Sequence, residues 1–234
     1  MSLNPELKSI NCTACGAGLD ILGGGRVTTH ICSYCGTALD ALDNYKTLAK
    51  FNILERPESP IKIGAAGQIF GVKYTVIGIL EHEEAWRGRS WKWVDHQVFS
   101  PTHGYAWLTL EDGHLTFSRR YRKPVGWLSE AEVNRADTRP RVRAGGEVFQ
   151  YYDTSTSAVI YAEGEFTWAP RKGQKTTTIT AMSDTAMLGF STTNREREIY
   201  HTVYLQRDEL FGFDLPSGGK PSGVHALQTM KAGA

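Results

Sequence analysis

Cys12, Cys15, Cys32 and Cys35 are the only cysteines of the chain, and they stand in two CxxCG pairs with sixteen residues between them. Two thiolates on one tight turn can face a single ion at about 2.3 Å, and a second such turn completes a tetrahedron. The spacing predicts one zinc per chain. Iron in the same thiolate set and a pair of disulfides are the other chemistries open to four cysteines. Four thiolates leave no open coordination position, so the zinc is expected to be structural, contributing on the order of 10 kcal/mol to folding. Gly16 and Gly36 follow the pairs, where a residue without Cβ can turn left-handed and let N–H groups approach the sulfurs. Gly23, Gly24 and Gly25 mark an expected hairpin tip, with LDI and RVTTHI as its arms. His30 is a further candidate ligand.

Two other constellations could carry chemistry. His82, Glu83, Glu84, Asp95, His96, His103 and His114 crowd one region and could supply an acid–base pair or a second metal site if they converge. HEEAW is not HExxH, because its fifth position is Trp86. Arg119, Arg120, Arg122, Lys123, Arg135, Arg139, Arg141 and Arg143 form a basic strip, opposed by Glu130, Glu132 and Asp137. Such a strip suits phosphate, nucleic acid or an acidic partner. Arginines on alternate residues, as in RPRVR, equally describe the solvated face of an edge strand. The six tryptophans, Trp86, Trp91, Trp93, Trp107, Trp127 and Trp168, are expected to be mostly core, with an aromatic groove as the alternative. The chain holds no GxSxG, no P-loop and no GxGxxG opening a helix.

The elements that position these residues change character along the chain. Residues 1–37 form the expected zinc ribbon. Leu39, Leu42, Tyr45 and Ala49 recur at helical spacing, with Asp40 and Asp43 early and Lys46 and Lys50 late, which predicts a linking helix over 38–56. ERPESP ends it and marks a domain boundary. Residues 57–214 switch to period two, with nine short strands: KYTVIGILE, WKWVDHQVF, GYAWLTLE, HLTFSRRY, GEVFQYYD, SAVIYAEGEFTW, KTTTITAM, AMLGFST and REIYHTVYLQ. They predict an antiparallel sandwich or barrel-like domain. Asp112-Gly113 is a strong hairpin signal. A GxxF echo between Gly67 and Gly146 suggests two related halves. Residues 215–234 read as a flexible tail in which Val224, Leu227 and Met230 could dock.

Overall totals narrow the classes. A net charge of +1 argues against non-specific adhesion to nucleic acid or membranes. Residues 1–12 lack the basic and apolar regions of a signal peptide, and no stretch approaches the roughly 20 apolar residues of a membrane span. A cytoplasmic protein with reduced thiols is expected.

The sequence over about residues 10–210 resembles the bacterial domain-of-unknown-function family 4178. The resemblance rests on Gly71, Tyr74, Val76 and Gly78; on Trp93 and Asp95; on Tyr105, Trp107, Leu108, Asp112 and Gly113; and on Gly164, Glu165 and Trp168. The chain departs from that pattern with Asp95-His96 in place of Glu-Tyr and with Leu115 where a tryptophan often stands. The resemblance implies a cysteine ribbon before a β-rich region. It also implies an accessory role beside membrane- or stress-associated proteins, and it supplies no catalytic residues. The resulting expectation is a zinc-containing adaptor with no catalytic residue, meeting a protein partner. Nucleic-acid binding through the ribbon and residues 119–143 is one alternative, and an enzyme using residues 82–114 is the other.

Overall fold

The computed structural model describes residues 8–51, 55–135, 139–206 and 209–213. Its front segment holds β1 (Lys8–Asn11), β2 (Gly18–Ile21), β3 (Thr29–Ile31), β4 (Thr37–Asp40) and β5 (Lys46–Lys50). Then come β6 (Ala66–Ile69), β7 (Val72–Trp86), β8 (Arg89–Ser100), β9 (Gly104–Glu111) and β10 (His114–Arg120). A single helical turn and a half, α1 (Glu130–Arg135), precedes β11 (Arg141–Ala144) and β12 (Glu147–Phe166). The chain continues through β13 (Lys175–Met182), β14 (Met187–Thr193), β15 (Glu196–Tyr204) and β16 (Leu210–Phe211).

The expected β architecture is present as an eight-stranded antiparallel barrel. Its strands run β7-β8-β9-β10-β15-β14-β13-β12, and β12 returns to pair with β7 from Val159↔His82 to Gly164↔Gly78. The strands alternate faces, and one face is concave. Tyr74 on β7 and Phe117 on β10 are three strands apart, yet their rings meet at 5.5 Å. Phe149 on β12 and His201 on β15 are likewise three strands apart, with rings 6.4 Å from each other. The interior holds Val76, Ile79, Val94, Val98, Ala106 and Leu108 toward β7–β10. Toward β12–β14 it holds Phe149, Ile179, Ala181, Leu188 and Phe190.

GEVFQYYD and SAVIYAEGEF, expected as two strands, are one strand of 20 residues. The intervening TST contains no glycine or proline to break it, and β-branched threonine suits an extended chain. Register shifts at Tyr151/Asp153 and Val159/Tyr161 bend it around the barrel instead. Asp112 and Gly113 make the expected tight turn, both left-handed (φ 47° and 79°). The two GxxF stretches occupy different places: Gly67 lies within β6, whereas Gly146 lies in the turn before β12. The echo marks no shared element.

The linking helix expected over 38–56 is absent from the described residues of that stretch, which form β4, a turn and β5. The cause is local. The Cys32 N–H donates to the Thr37 carbonyl at 2.9 Å and so commits the chain after the second cysteine pair to an extended return. Asp40 then accepts the Leu42 N–H at 2.9 Å, an Asx turn, and Asn44 and Tyr45 are left-handed (φ 47° and 54°), which no helix accommodates. The supposed apolar helical face is split, with Leu39 fully buried but Leu42 73% exposed and Ala49 in solvent. The flexible-tail expectation for 215–234, including Val224, Leu227 and Met230, lies outside the described residues, as does Asp137.

The tryptophans also depart from expectation. None of the six is fully buried. Trp107 and Trp168 meet edge to face (5.5 Å) on the rim of an outer cluster, Trp127 packs on Phe190, and Trp86 is exposed beneath the Arg87 guanidinium. An indole places its N–H where it meets a partner or water, at a rim, and the interior here is filled by Val, Leu and Phe instead.

Candidate metal centre

Two near-identical turns build the centre. In the first, the Cys12 N–H donates to Ala17 O and the Gly16 N–H to Cys12 O, both at 2.8 Å. In the second, the Cys32 N–H donates to Thr37 O and the Gly36 N–H to Cys32 O, both at 2.9 Å. Gly16 and Gly36 are left-handed (φ 78° and 68°) as the spacing predicts. The first turn joins β1 to β2, which pair only with each other, and the second joins β3 to β4.

The four Sγ atoms lie within 4.8 Å of one another. Cys12–Cys35 and Cys15–Cys32 are both 3.8 Å apart. That is too long for a disulfide, and the cysteines are free. It equals the edge of a tetrahedron whose centre is about 2.3 Å from each sulfur. The residues therefore fit a four-thiolate metal ion. Cys12 and Cys32 are buried against Leu19 and Leu39, and burial pushes the Cys32 thiol up to about 12. A cation beside it is what makes a thiolate there at neutral pH. His30 is buried on β3, held neutral near 4 by that burial, and takes no place in the four-sulfur group.

The glycine loop is not the tip of a β2/β3 hairpin. β2 pairs with β1, and β3 pairs with β4 and, through Ile31↔Gly164, with β12. The loop is instead pressed onto the barrel. A Cβ at Gly24 would stand 2.6 Å from the Phe99 ring of β8, and one at Gly23 would stand 3.3 Å from Ile77 of β7. The buried Glu165 carboxylate accepts the N–H groups of Leu22 (2.7 Å) and Gly23 (2.6 Å), and the Tyr105 hydroxyl accepts that of Arg26 (3.2 Å). Arg56 adds a second tie. It pairs with buried Glu163 at 2.9 Å and donates to Ser33 O inside the second cysteine turn at 3.4 Å. Ile31, Ala38 and Phe51 then pack on Leu80, Val159, Ala162 and Phe166 of the barrel.

The histidines are divided by strand alternation. His82 Nε2 stands 3.3 Å from Asp95, which also accepts the Thr109 hydroxyl at 2.6 Å, and the His82 ring stacks on Trp93. His96, adjacent to Asp95 on β8, points into the barrel. There its Nδ1–H donates to Leu108 O (2.9 Å) and its Nε2 accepts from Ser59 (2.8 Å). His103 lies in the exposed turn after β8, beside Thr102, and His114 begins β10. Asp95 and His96 do not share a pocket. A cavity of about 800 Å³ at the barrel mouth is lined by Lys62, Glu81, Lys92, Trp93 and Asp112 and includes none of the histidines.

His96 is fully buried, and burial lowers its pKa below the ordinary imidazole value. A lowered histidine contributes stability above pH 6.5 that is lost as pH falls toward its folded-state value, because the unfolded chain takes the proton first. His96→Gln is therefore expected to cost roughly 1–3 kcal/mol at pH 7.5 through the disturbed Ser59 and Leu108 contacts. The gap from wild type should narrow as the pH falls below 6.5. Urea unfolding at several pH values checks this, and a constant gap contradicts it.

The basic strip is split as well. Arg120 pairs with Glu198 at 3.0 Å and Arg119 donates to His103 O at 3.2 Å. Arg139, Arg141 and Arg143 are exposed and form no ion pair among the described residues. Glu132 is occupied in capping α1, its carboxylate accepting the Ser129 N–H (2.8 Å) and hydroxyl (2.7 Å). Ser129-Glu130-Ala131-Glu132 is a capping box, the sequence signal for a helix that the strand periodicity had hidden.

Four cysteines placed to hold a metal ion, seated on the wall of an eight-stranded antiparallel barrel, define the class. The family model described as domain of unknown function (DUF4178) matches residues 62–207, and the chain belongs to that family. The match covers the barrel, and the cysteine segment precedes it. No curated protein and no solved structure gives a significant match. The positions carrying the family resemblance prove to be scaffold. Tyr74, Val76 and Leu108 fill the barrel, Asp112 and Gly113 turn a hairpin, Gly78 and Gly164 let β7 and β12 meet, and Glu165 and Tyr105 hold the glycine loop.

Proposed function

We propose that this chain is a zinc-containing binding protein without catalytic activity, working through protein–protein contacts in a membrane- or stress-associated complex. The observation that carries the reading is the closed set of four cysteines locked to the barrel by Glu165 and the glycine loop. An ion so enclosed has no position for a substrate, and its effect is to shape a rigid surface. His82 and Asp95 do meet, at 3.3 Å, but as a largely buried pair stacked on Trp93 and outside the cavity lining, while His96 faces the barrel interior, which favours binding over acid–base chemistry.

Capture of the full-length, tagged protein from its native cells, with cross-linking and mass spectrometry, tests this. A protein retained in fixed stoichiometry is expected, and retention should disappear when the metal is removed by chelation. A protein that elutes alone under every condition, or that turns over a substrate, counts against the reading. A second reading, nucleic-acid binding, is favoured by Arg139, Arg141 and Arg143, which are exposed and form no ion pair among the described residues. It requires affinity that falls steeply with salt.

A further inference from the structure

β11 and β12 form a hairpin through left-handed Gly145 and Gly146, and hairpin residues alternate between turning their main chain toward the partner strand and away from it. The Tyr151 N–H donates to Pro140 O at 2.8 Å, which sets the phase. Residues 140, 142 and 144 spend their main-chain groups on β12, while Arg141 and Arg143 turn theirs outward. No strand pairs with that outer edge among the described residues. The side chains alternate too. Val142 and Ala144 pack on the barrel core, and Arg141 and Arg143 stand in solvent with Arg139 two residues before them.

Among the described residues this edge leaves two demands unmet. Its N–H and C=O groups suit an added strand, and its guanidinium groups suit carboxylates. A second copy of the chain is a poor occupant, because antiparallel self-pairing sets arginine against arginine.

We infer that the outer edge of β11 docks an extended acidic segment of a protein partner. That segment adds to the sheet as a strand, with carboxylates at alternate positions facing Arg139, Arg141 and Arg143. This rests on the protein-binding reading above and names its site and the chemistry of its partner. Main-chain hydrogen bonds hold the register, and the alternating carboxylates select the segment.

Fluorescence anisotropy with the full-length, metal-loaded protein tests it against three probes. One is a peptide of about ten residues alternating Glu and Thr, the length a single strand can pair. The second has the same composition with its glutamates in one block, and the third is a single-stranded oligonucleotide of equal charge. The alternating peptide is expected to bind at least about tenfold more tightly than the block peptide. The R141E/R143E variant should lose that binding by about tenfold or more, with unchanged thermal unfolding. Equal binding of the two peptides, or tighter binding of the oligonucleotide, overturns the proposal in favour of a generic polyanion face. Absence of peptide binding overturns it too. It leaves the protein-binding reading to the capture experiment, which does not depend on β11.

Discussion

Cys32→Ala is expected to abolish stoichiometric metal and to detach the front segment from the barrel while the barrel itself stays folded. Elemental analysis of the wild type should give about one zinc per chain, and of the variant close to none. Cys32 is the sulfur to remove because it is buried and sits where the second turn meets the barrel. Its N–H starts β4, the turn that holds it receives Arg56, and β3 just before it pairs with β12. Metal binding to such a centre contributes about 10–16 kcal/mol, more than the local contacts of 40-odd residues can replace. Loss of the ion frees the glycine loop, so the buried Glu165 carboxylate loses the N–H groups of Leu22 and Gly23. Trp107 and Trp168 flank the outer cluster that Ile31, Ala38 and Phe51 complete. Indole fluorescence should shift to the red when that cluster opens. Hydrogen exchange should rise across β1–β5 and stay slow in β8, β9 and β13. A variant that lacks metal yet keeps wild-type protection in β3 and β4 would show that the ion does not hold the segment.

The metal centre was legible because its chemistry is local. Two cysteines two residues apart with a following glycine specify one turn, whatever the rest of the chain does. The barrel strands were legible for a similar reason, since period two with β-branched residues and Asp112-Gly113 needs no distant partner to be read. The failures have the opposite character. The stretch containing Leu39, Leu42 and Tyr45 has helical spacing, but the neighbouring cysteine turn forces it to leave extended. Its aspartates then serve turns rather than a helix dipole. In the sequence Glu165 stands out only through the family resemblance. Its task, receiving two N–H groups from residues more than 140 positions earlier, is a product of the docked topology and leaves no periodic trace. Hairpins at Phe70-Gly71 and Asn194-Arg195 were also silent, because left-handed Phe70 (φ 50°) and Arg195 (φ 72°) are residues that rarely adopt that region.

Gly164→Ala is expected to be the most damaging single methyl addition to the barrel, at a cost of about 3–5 kcal/mol. Two penalties coincide there. The residue is left-handed (φ 87°), which alone costs a non-glycine about 1–2 kcal/mol. The added Cβ would also stand 2.3 Å from the Ile77 carbonyl oxygen and 2.9 Å from the Gly78 Cα. Both obstacles are backbone, and backbone cannot rotate away as a side chain can. Gly164 pairs at once with Gly78 on β7 and Ile31 on β3, so any shift that makes room opens both the closure of the barrel and the seat of the ribbon. Gly113→Ala supplies the control. It shares the left-handed backbone (φ 79°), but its Cβ would meet nothing within 4 Å, and it should cost only about 1 kcal/mol. Urea midpoints of the two variants separate the contributions, because strain is common to both and collision belongs to Gly164 alone. Equal losses would mean that β7 and β12 yield freely at their crossing, and the closed ring of eight strands would then owe little to this contact.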